Sequence, residues 1–385
     1  MTKRNDKKKV PELRFRGFTD PWEQRQLGEV VSERNERSAS GELLSISMSR
    51  GVYPTSCSDR KDNSSEDKSN YKHLAVGDIA YNSMRMWQGA CGLSSFDGII
   101  SPAYTVVIPS AATDGRFLID LFKTTEMLNT FQRNSQGLTS DTWNLKYPAF
   151  SKIKCSIPSL HEQRLIGQFF STLDSLIAAA ERQEALLKQK KQAYLQFMFP
   201  QEGENEPRLR FAGFSGEWEM RRFGEIFQYE RPDAYLSGDD EIEDEGAIPV
   251  LTANKAFILG YTNSLQGIYQ KGRCIIFDDF TLDSKRVEQP FKVRSSAIKI
   301  LTVRENMDFD FAFELLRTSK FPVLGHARHY ITVVQPQATL IPHFLQEQQR
   351  IGRFFRNFDS LIACAEERAA SLRALKSAYL QRMFV

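Results

Sequence analysis

Residues 161–199 read HEQRLIGQFFSTLDSLIAAAERQEALLKQKKQAYLQFMF, and residues 346–384 read QEQQRIGRFFRNFDSLIACAEERAASLRALKSAYLQRMF. The two stretches align without a gap, and roughly half of their positions are identical. Such self-similarity governs the architecture, and two copies about 185 residues apart denote a duplicated domain and not a solenoid. In the first copy Ile166, Leu173, Ala180, Leu187 and Tyr194 recur every seven residues, flanked by Phe170, Ile177 and Met198. In the second, Ile351, Phe358, Ala365, Leu372 and Tyr379 repeat the pattern, flanked by Phe355, Ile362 and Met383. A seven-residue apolar repeat with Gln, Lys, Arg and Glu on the outer faces predicts two long helices packed on each other as a coiled coil. No proline interrupts the chain between Pro158 and Pro200, or after Pro342. About 37 residues at ~1.5 Å rise give a rod of roughly 55 Å, longer than an ordinary core helix needs, so the pair reads as a spacer.

The duplication extends outward from the helices. Residues 11–30 read PELRFRGFTDPWEQRQLGEV, and residues 207–226 read PRLRFAGFSGEWEMRRFGEI. Phe15, Gly17, Phe18, Trp22, Glu23, Arg25, Gly28 and Glu29 each recur 196 positions later. These two lead segments read as a loop running into a short helix, with Trp22 and Trp218 as packing anchors. The order is lead segment, variable block, helix, then the same again. The offset falls from 196 to 185, so the second block is shorter by about eleven residues. The predicted divisions are a basic tail (1–10), a first lead segment and block (11–157), a first helix (158–200), a linker with the second lead segment and block (201–340), and a second helix (341–385).

Both blocks read as mixed and strand-rich, which makes the fold class α+β. In the first, YKHLAVGDIAYNS carries a turn at Gly77-Asp78 before a strand, and GIISPAYTVVIPS holds a buried strand bounded by Pro102 and Pro109. DGRFLIDLFKTTEMLNTFQRN predicts one helix, SQGLTSDTWNLKYPAF a polar loop, and SKIKCSIPSL the approach to the long helix. In the second, AIPVLTANK, KGRCIIFDDFT and SSAIKILTV read as strands and FDFAFELLRTSK as a helix. GHARHYITVV takes the place that LTSDTWNLKY holds in the first block. Like frames around unlike blocks suit a protein that holds two different targets at a fixed separation.

Composition bounds the function. The net charge of +3 over 385 residues excludes a general polyanion binder, although the tail Lys3, Arg4, Lys7, Lys8, Lys9 is basic and Asp239 to Glu245 acidic. The five cysteines form no CxxC pair, which argues against structural zinc and fits a reducing cytosol. MTKRNDKKKV has no apolar run behind it, so no signal peptide is expected, and no apolar stretch is long enough to span a membrane. The expected localisation is cytoplasmic.

Catalytic constellations are near misses. Ser101-Pro102-Ala103-Tyr104 resembles the loop of amino-methyltransferases but lacks its second proline, and no Gly-rich cofactor loop precedes it. Glu66-Asp67-Lys68 and Asp283-Ser284-Lys285 have the form of nuclease triplets that chance supplies in a chain that is 26% charged. His326 and His329 lack a third metal ligand, and no GxxxxGK[ST] loop is present. The chain is expected to be non-catalytic, with no metal. Candidate DNA-binding residues are more plentiful: Arg85, Trp87 and Gln88 beyond a strand, and Thr139, Ser140, Trp143, Asn144 and Lys146 in a loop. In the second block they are Asn254, Lys255, Lys285, Arg286, Arg328, His329 and Tyr330. Arg, Lys, Asn and Gln pair with base edges, while Ser, Thr and Lys hold phosphates. Phe169, Leu176, Phe354 and Leu361 lie beside the helical seam and are candidates for a subunit interface.

The PxLRFxGFxxxWE lead segments, the helix starts IPSLHEQRLIGQFFSTLDSLI and IPHFLQEQQRIGRFFRNFDSLI, and the blocks IIFDDFT and RSSAIKIL together resemble the specificity subunits of type I restriction-modification systems. The resemblance covers essentially the whole chain. It departs at one extra residue between Pro342 and Glu347, where a local adjustment of the helix start is expected. It implies that the blocks are target recognition domains, each reading one half of a split sequence in double-stranded DNA, with the two helices antiparallel and setting the gap. It also implies two modification subunits that bind S-adenosylmethionine, and restriction subunits that use ATP and Mg²⁺ to translocate and cut DNA. The alternatives are a coiled-coil adaptor indifferent to DNA and a stand-alone DNA methyltransferase.

Overall fold

Both heptad stretches form unbroken helices, Leu160–Met198 and Leu345–Arg382. The computed structural model describes residues 10–58, 64–238, 241–253, 256–322 and 329–385. The fold is α+β, with two strand-rich regions and these two helices. It divides into two compact units, Met1–Glu181 with Glu367–Val385, and Arg182–Glu366. Each unit therefore takes half of each long helix, whereas the sequence reading treats each helix as a single spacer.

Within each unit the helix halves run antiparallel. In the first, Lys376 Nζ donates to Asp174 at 2.6 Å, and Arg373 Nη2 donates to Glu181 at 2.6 Å. In the second, Lys191 Nζ donates to Asp359 at 2.6 Å, and Tyr194 packs on Phe354 with ring centroids 5.1 Å apart. The heptad positions form the inner face: Ile166, Leu173, Ala180, Ile351 and Ala365 are buried, as are the flanking Phe170, Met198, Phe355 and Met383.

In the first unit a four-stranded sheet runs in the order Val31–Glu33, Tyr104–Pro109, Ile79–Asn82, Cys91–Leu93. A second runs in the order Gly51–Pro54, Glu42–Ser47, Gly98–Ile100, Lys72–Leu74. The second unit has a four-stranded sheet (Phe227–Glu230, Ile298–Val303, Cys274–Asp278, Ser284–Val287) and a three-stranded one (Ile258–Thr262, Ile248–Leu251, Lys292–Val293). The strand Cys274–Asp278 is buried at every position, which is why Cys274–Phe277 are apolar on both faces before the closing Asp278.

Four expectations change. Each lead segment enters a strand before its short helix, because Glu23–Gln26 pairs antiparallel with Lys154–Ile157 and Glu219–Arg222 with Ala338–Ile341. These two lead strands are polar, and their pairing depends on partners far along the chain. The single helix expected from DGRFLIDLFKTTEMLNTFQRN is two, Gly115–Phe122 and Thr125–Asn134. Thr124 separates them, its Oγ1 accepting from Met127 N and capping the second. GIISPAYTVVIPS contributes two strands to different sheets, joined by a turn in which Tyr104 N donates to the Ser101 carbonyl. Finally, Tyr330–Val334 is a turn of π-helix that buries Tyr330, Val333 and Val334, so Tyr330 is no surface contact.

The frame of each unit is built from the repeated residues. Trp22 and Trp218 are buried, and each packs edge-on against a phenylalanine, Phe117 or Phe311. Gln163 Oε1 accepts from Asp114 N while its Nε2 donates to the Pro158 carbonyl. Gln348 does the same with Asp308 N and the Pro342 carbonyl. Asp114 and Asp308 in turn cap the helices Gly115–Phe122 and Phe309–Thr318. Leu13 N bonds the carbonyl of Arg382, and Leu209 N that of Phe197, so each lead segment closes on the end of a long helix.

Candidate nucleic-acid interface

In the first unit the sheet strand Ile79–Asn82 ends in a tight turn. Asn82 Oδ1 accepts from Met84 N at 3.0 Å, and a short 3-10 turn, Met86–Gln88, stops at Gly89 with φ +81°. A positive φ suits glycine, which lets the chain reverse there and leave Arg85, Trp87 and Gln88 together. The loop carrying the second candidate group is closed by pairing of Gln136 with Asn144 and by Thr139 with Thr142. Leu145 N donates to the Ser83 carbonyl at 2.8 Å and ties this loop to the turn. Trp87 and Trp143 then meet edge to face, ring centroids 5.2 Å apart. Two groups more than fifty residues apart in sequence thus form one surface. Arg85, Thr139, Ser140 and Lys146 are exposed on it, while the side-chain oxygens of Gln88 and Asn144 are buried without a hydrogen bond.

Beside this surface lies a cleft of about 840 Å³, lined by the strand Glu42–Ser47 and by Arg50, Tyr53, Asn82, Arg85 and Tyr104. Arg50 was not singled out from the sequence. Its guanidinium lies over the Tyr53 ring at 5.6 Å, and Nη1 donates to the Cys57 carbonyl at 3.1 Å. The serine-rich turn around SMSRGVYPTS was the only signal that could have found it.

The second unit treats its candidates differently. Lys285 is partly exposed, its ammonium 4.4 Å from the Phe257 ring centroid. Arg286 is held inside the unit by Asp310, at 2.8 Å, and by Asp359, with its guanidinium over Phe313. His329 and Tyr330 are fully buried. His329 Nδ1 lies 2.7 Å from the Asp279 carbonyl, so that nitrogen carries the proton and donates. Tyr330 packs between Tyr229 and Phe277, and burial pushes its hydroxyl pKa up. These two residues form the floor of the IIFDDFT turn, whereas Phe280 on that turn is 57% exposed. Asn254, Lys255, Arg328 and His326 lie outside the described residues, as do the basic residues of the tail.

On the long helices the four interface candidates fall into two classes. Phe169 and Phe354 are half-buried, each between a phenylalanine of a lead segment and a tyrosine of the facing helix: Phe15 and Tyr379, or Phe211 and Tyr194. Leu176 and Leu361 are 41% and 53% exposed. Among the described residues no group of three or more His, Cys, Asp or Glu is arranged to hold a metal, and no helix is long and apolar enough to cross a membrane.

Comparison with known proteins adds three findings. The family described as the type I restriction modification DNA specificity domain matches twice, over residues 19–189 and 215–374. The chain is 38% identical over 175 residues to the Escherichia coli type I restriction enzyme EcoR124I/EcoR124II specificity subunit. That match spans 42% of this chain and 43% of the relative, less than half of its length. The fold is similar to the crystal structure of the type I restriction-modification S subunit from M. genitalium, with a TM-score of 0.66 at 12% identity over 98% of this chain and 99% of that one.

Proposed function

This chain belongs to the type I restriction modification DNA specificity family, and we propose that it is the non-catalytic specificity subunit of a type I restriction-modification complex. Each variable block reads one half of a split sequence in double-stranded DNA. The long helices set the gap and dock two modification subunits. Methyl transfer from S-adenosylmethionine, and ATP- and Mg²⁺-dependent translocation and cleavage, belong to the modification and restriction subunits in the cytoplasm.

One observation carries this reading: the same latch residues, Gln163 and Gln348, hold two blocks whose outer residues differ. Shared framing serves a common scaffold, and different contents serve different targets. In the first block the DNA-contacting residues are Arg85, Trp87, Gln88, Thr139, Ser140, Trp143, Asn144 and Lys146, which share one surface. In the second, Lys285 faces outward, and Asn254, Lys255 and Arg328 join it on sequence grounds. Arg286, His329 and Tyr330 support that reading surface from within. Leu176 and Leu361 favour docking, since an exposed leucine recurs at the same point of an identical DSLIA segment on each helix.

The test is methylation mapping in cells that express this chain with its modification subunits. A single split motif, lost when this chain is omitted, is the expected result. Methyl transfer by the purified chain alone, or a motif with no unread gap, would overturn the reading.

A further inference from the structure

The cleft beside the first-block surface is lined by two arginines and by no carboxylate among the described residues. The 840 Å³ cleft carries Arg50 and Arg85. A 430 Å³ cleft by the first lead segment includes Asp20, Glu23, Glu29 and Glu162, and a 130 Å³ one in the second unit includes Asp278 and Asp283. An electronegative ligand therefore fits the first. Its polar lining is otherwise hydroxyls and an amide, with Ser45, Ser47, Ser101, Tyr104 and Asn82 beside apolar residues such as Leu43 and Met48.

The two arginines differ in how they are held. Arg85 is exposed, and its guanidinium makes no hydrogen bond or ion pair among the described residues. Arg50 is held at two points: its guanidinium carbon lies 5.6 Å from the Tyr53 ring centroid, and Nη1 donates to the Cys57 carbonyl. Its other N–H groups are unclaimed among the described residues. A guanidinium held at two points loses less freedom on binding, and its planar fork matches two acceptors side by side. On a base pair in the major groove that pattern is guanine O6 and N7. An unpinned guanidinium is suited to a phosphate, which asks for charge and no fixed plane. Resting on the DNA-specificity reading above, we infer that Arg50 is a specificity-determining residue of the first block, reading a guanine edge in this cleft while Arg85 holds the adjoining phosphate.

The experiment is selection from a randomised duplex DNA pool by the full chain assembled with its modification subunits, followed by salt titration. Wild type enriches a split motif. Arg50→Ala loses preference for G·C at one position of one half by roughly 5- to 150-fold, and leaves the other half and the salt slope unchanged. Arg50→Gln replaces the guanidinium with an amide that pairs with adenine, and moves that position away from G·C. Arg85→Ala weakens all sequences alike and lowers the salt slope by about one. Enrichment of the unaffected half reports that the fold survives; should Arg50→Ala fail to fold, Arg50→Gln decides. Guanine preference kept in Arg50→Gln, or uniform weakening by Arg50→Ala, overturns this assignment. A wild-type complex that enriches no motif refutes instead the family role on which it rests.

Discussion

Arg14 grips both carboxylate oxygens of Glu162, Nε at 2.7 Å and Nη2 at 2.6 Å. The contact recurs between Arg210 and Glu347 at 2.6 and 2.8 Å. Glu162 and Glu347 are each only 1% exposed at the side chain, and the hydrogen-bonded carboxylate raises the pKa of each arginine. This bidentate pair latches a lead segment to the first turn of a long helix. Arg14→Met leaves a buried carboxylate without its partner and should destabilise the first unit by ~3–5 kcal/mol. Scanning calorimetry should show an early transition in that variant. The double variant with Glu162→Met should recover much of the loss, because no charge is then stranded. A single variant that melts with wild type would show that the latch contributes nothing.

Gly352 packs against the cap of a neighbouring helix. A Cβ built there would lie 2.7 Å from Phe311 N and closer still to Asp308 Oδ1. Gly167 repeats the relation, 2.9 Å from Asp114 Oδ1 and Phe117 N. Alanine is the better helix former in isolation. Here Gly352→Ala should destabilise by ~1–3 kcal/mol, the range for forcing extra atoms into a packed site. Chemical denaturation checks the sign; a stabilised variant would mean that the cap yields freely.

The two units handle one buried acid differently. In the second, Lys191 bonds Glu314 at 2.8 Å and Asp359 at 2.6 Å. In the first, Lys376 bonds Asp174 but not Asp120, whose side chain is one methylene shorter than the glutamate at the matching position. Burial pushes the Asp120 carboxyl up to about 7, and Lys376 opposes that only in part. A raised folded pKa means the neutral acid is favoured in the fold. Its stabilising contribution is complete below the unfolded value near ~4 and is lost as pH rises through about 7. Asp120→Asn should therefore flatten the fall in melting temperature between pH 5 and 8. Its stability at pH 8 should rise by up to ~4 kcal/mol. Equal slopes for variant and wild type would remove Asp120 as the cause.

Leu176 and Leu361 should matter for assembly and not for folding. Glutamate at both should leave the circular dichroism spectrum unchanged and release the modification subunits on gel filtration. Phe354→Glu is the contrast: the ring sits between Tyr194 and Phe211, so this change should unfold the second unit. A Leu176→Glu, Leu361→Glu chain that still assembles fully would place docking elsewhere.

Helix seams, repeated lead segments and strand-rich blocks were legible in the sequence because each leaves a local or periodic mark. A seven-residue apolar period shows which side of a helix is covered, and Ile166, Leu173 and Ala180 are indeed buried. Repetition of Glu-Gln and Ile-Gly near both helix starts marked those residues as shared without revealing why. Only the tertiary structure decided their partners: Arg14 for Glu162, Asp114 N for Gln163, a helix cap for Gly167. The same holds for the candidate interface. A polar side chain in a loop looks alike in sequence whether it faces solvent or a buried partner. Thus Arg85 and Arg286 read alike, yet one guanidinium is unpaired among the described residues and the other is held by Asp310 and Asp359. Tyr330 reads as a surface aromatic and is core. Periodicity records which residues avoid water along one element; which charges are neutralised is decided between elements, by residues brought together only when the chain folds.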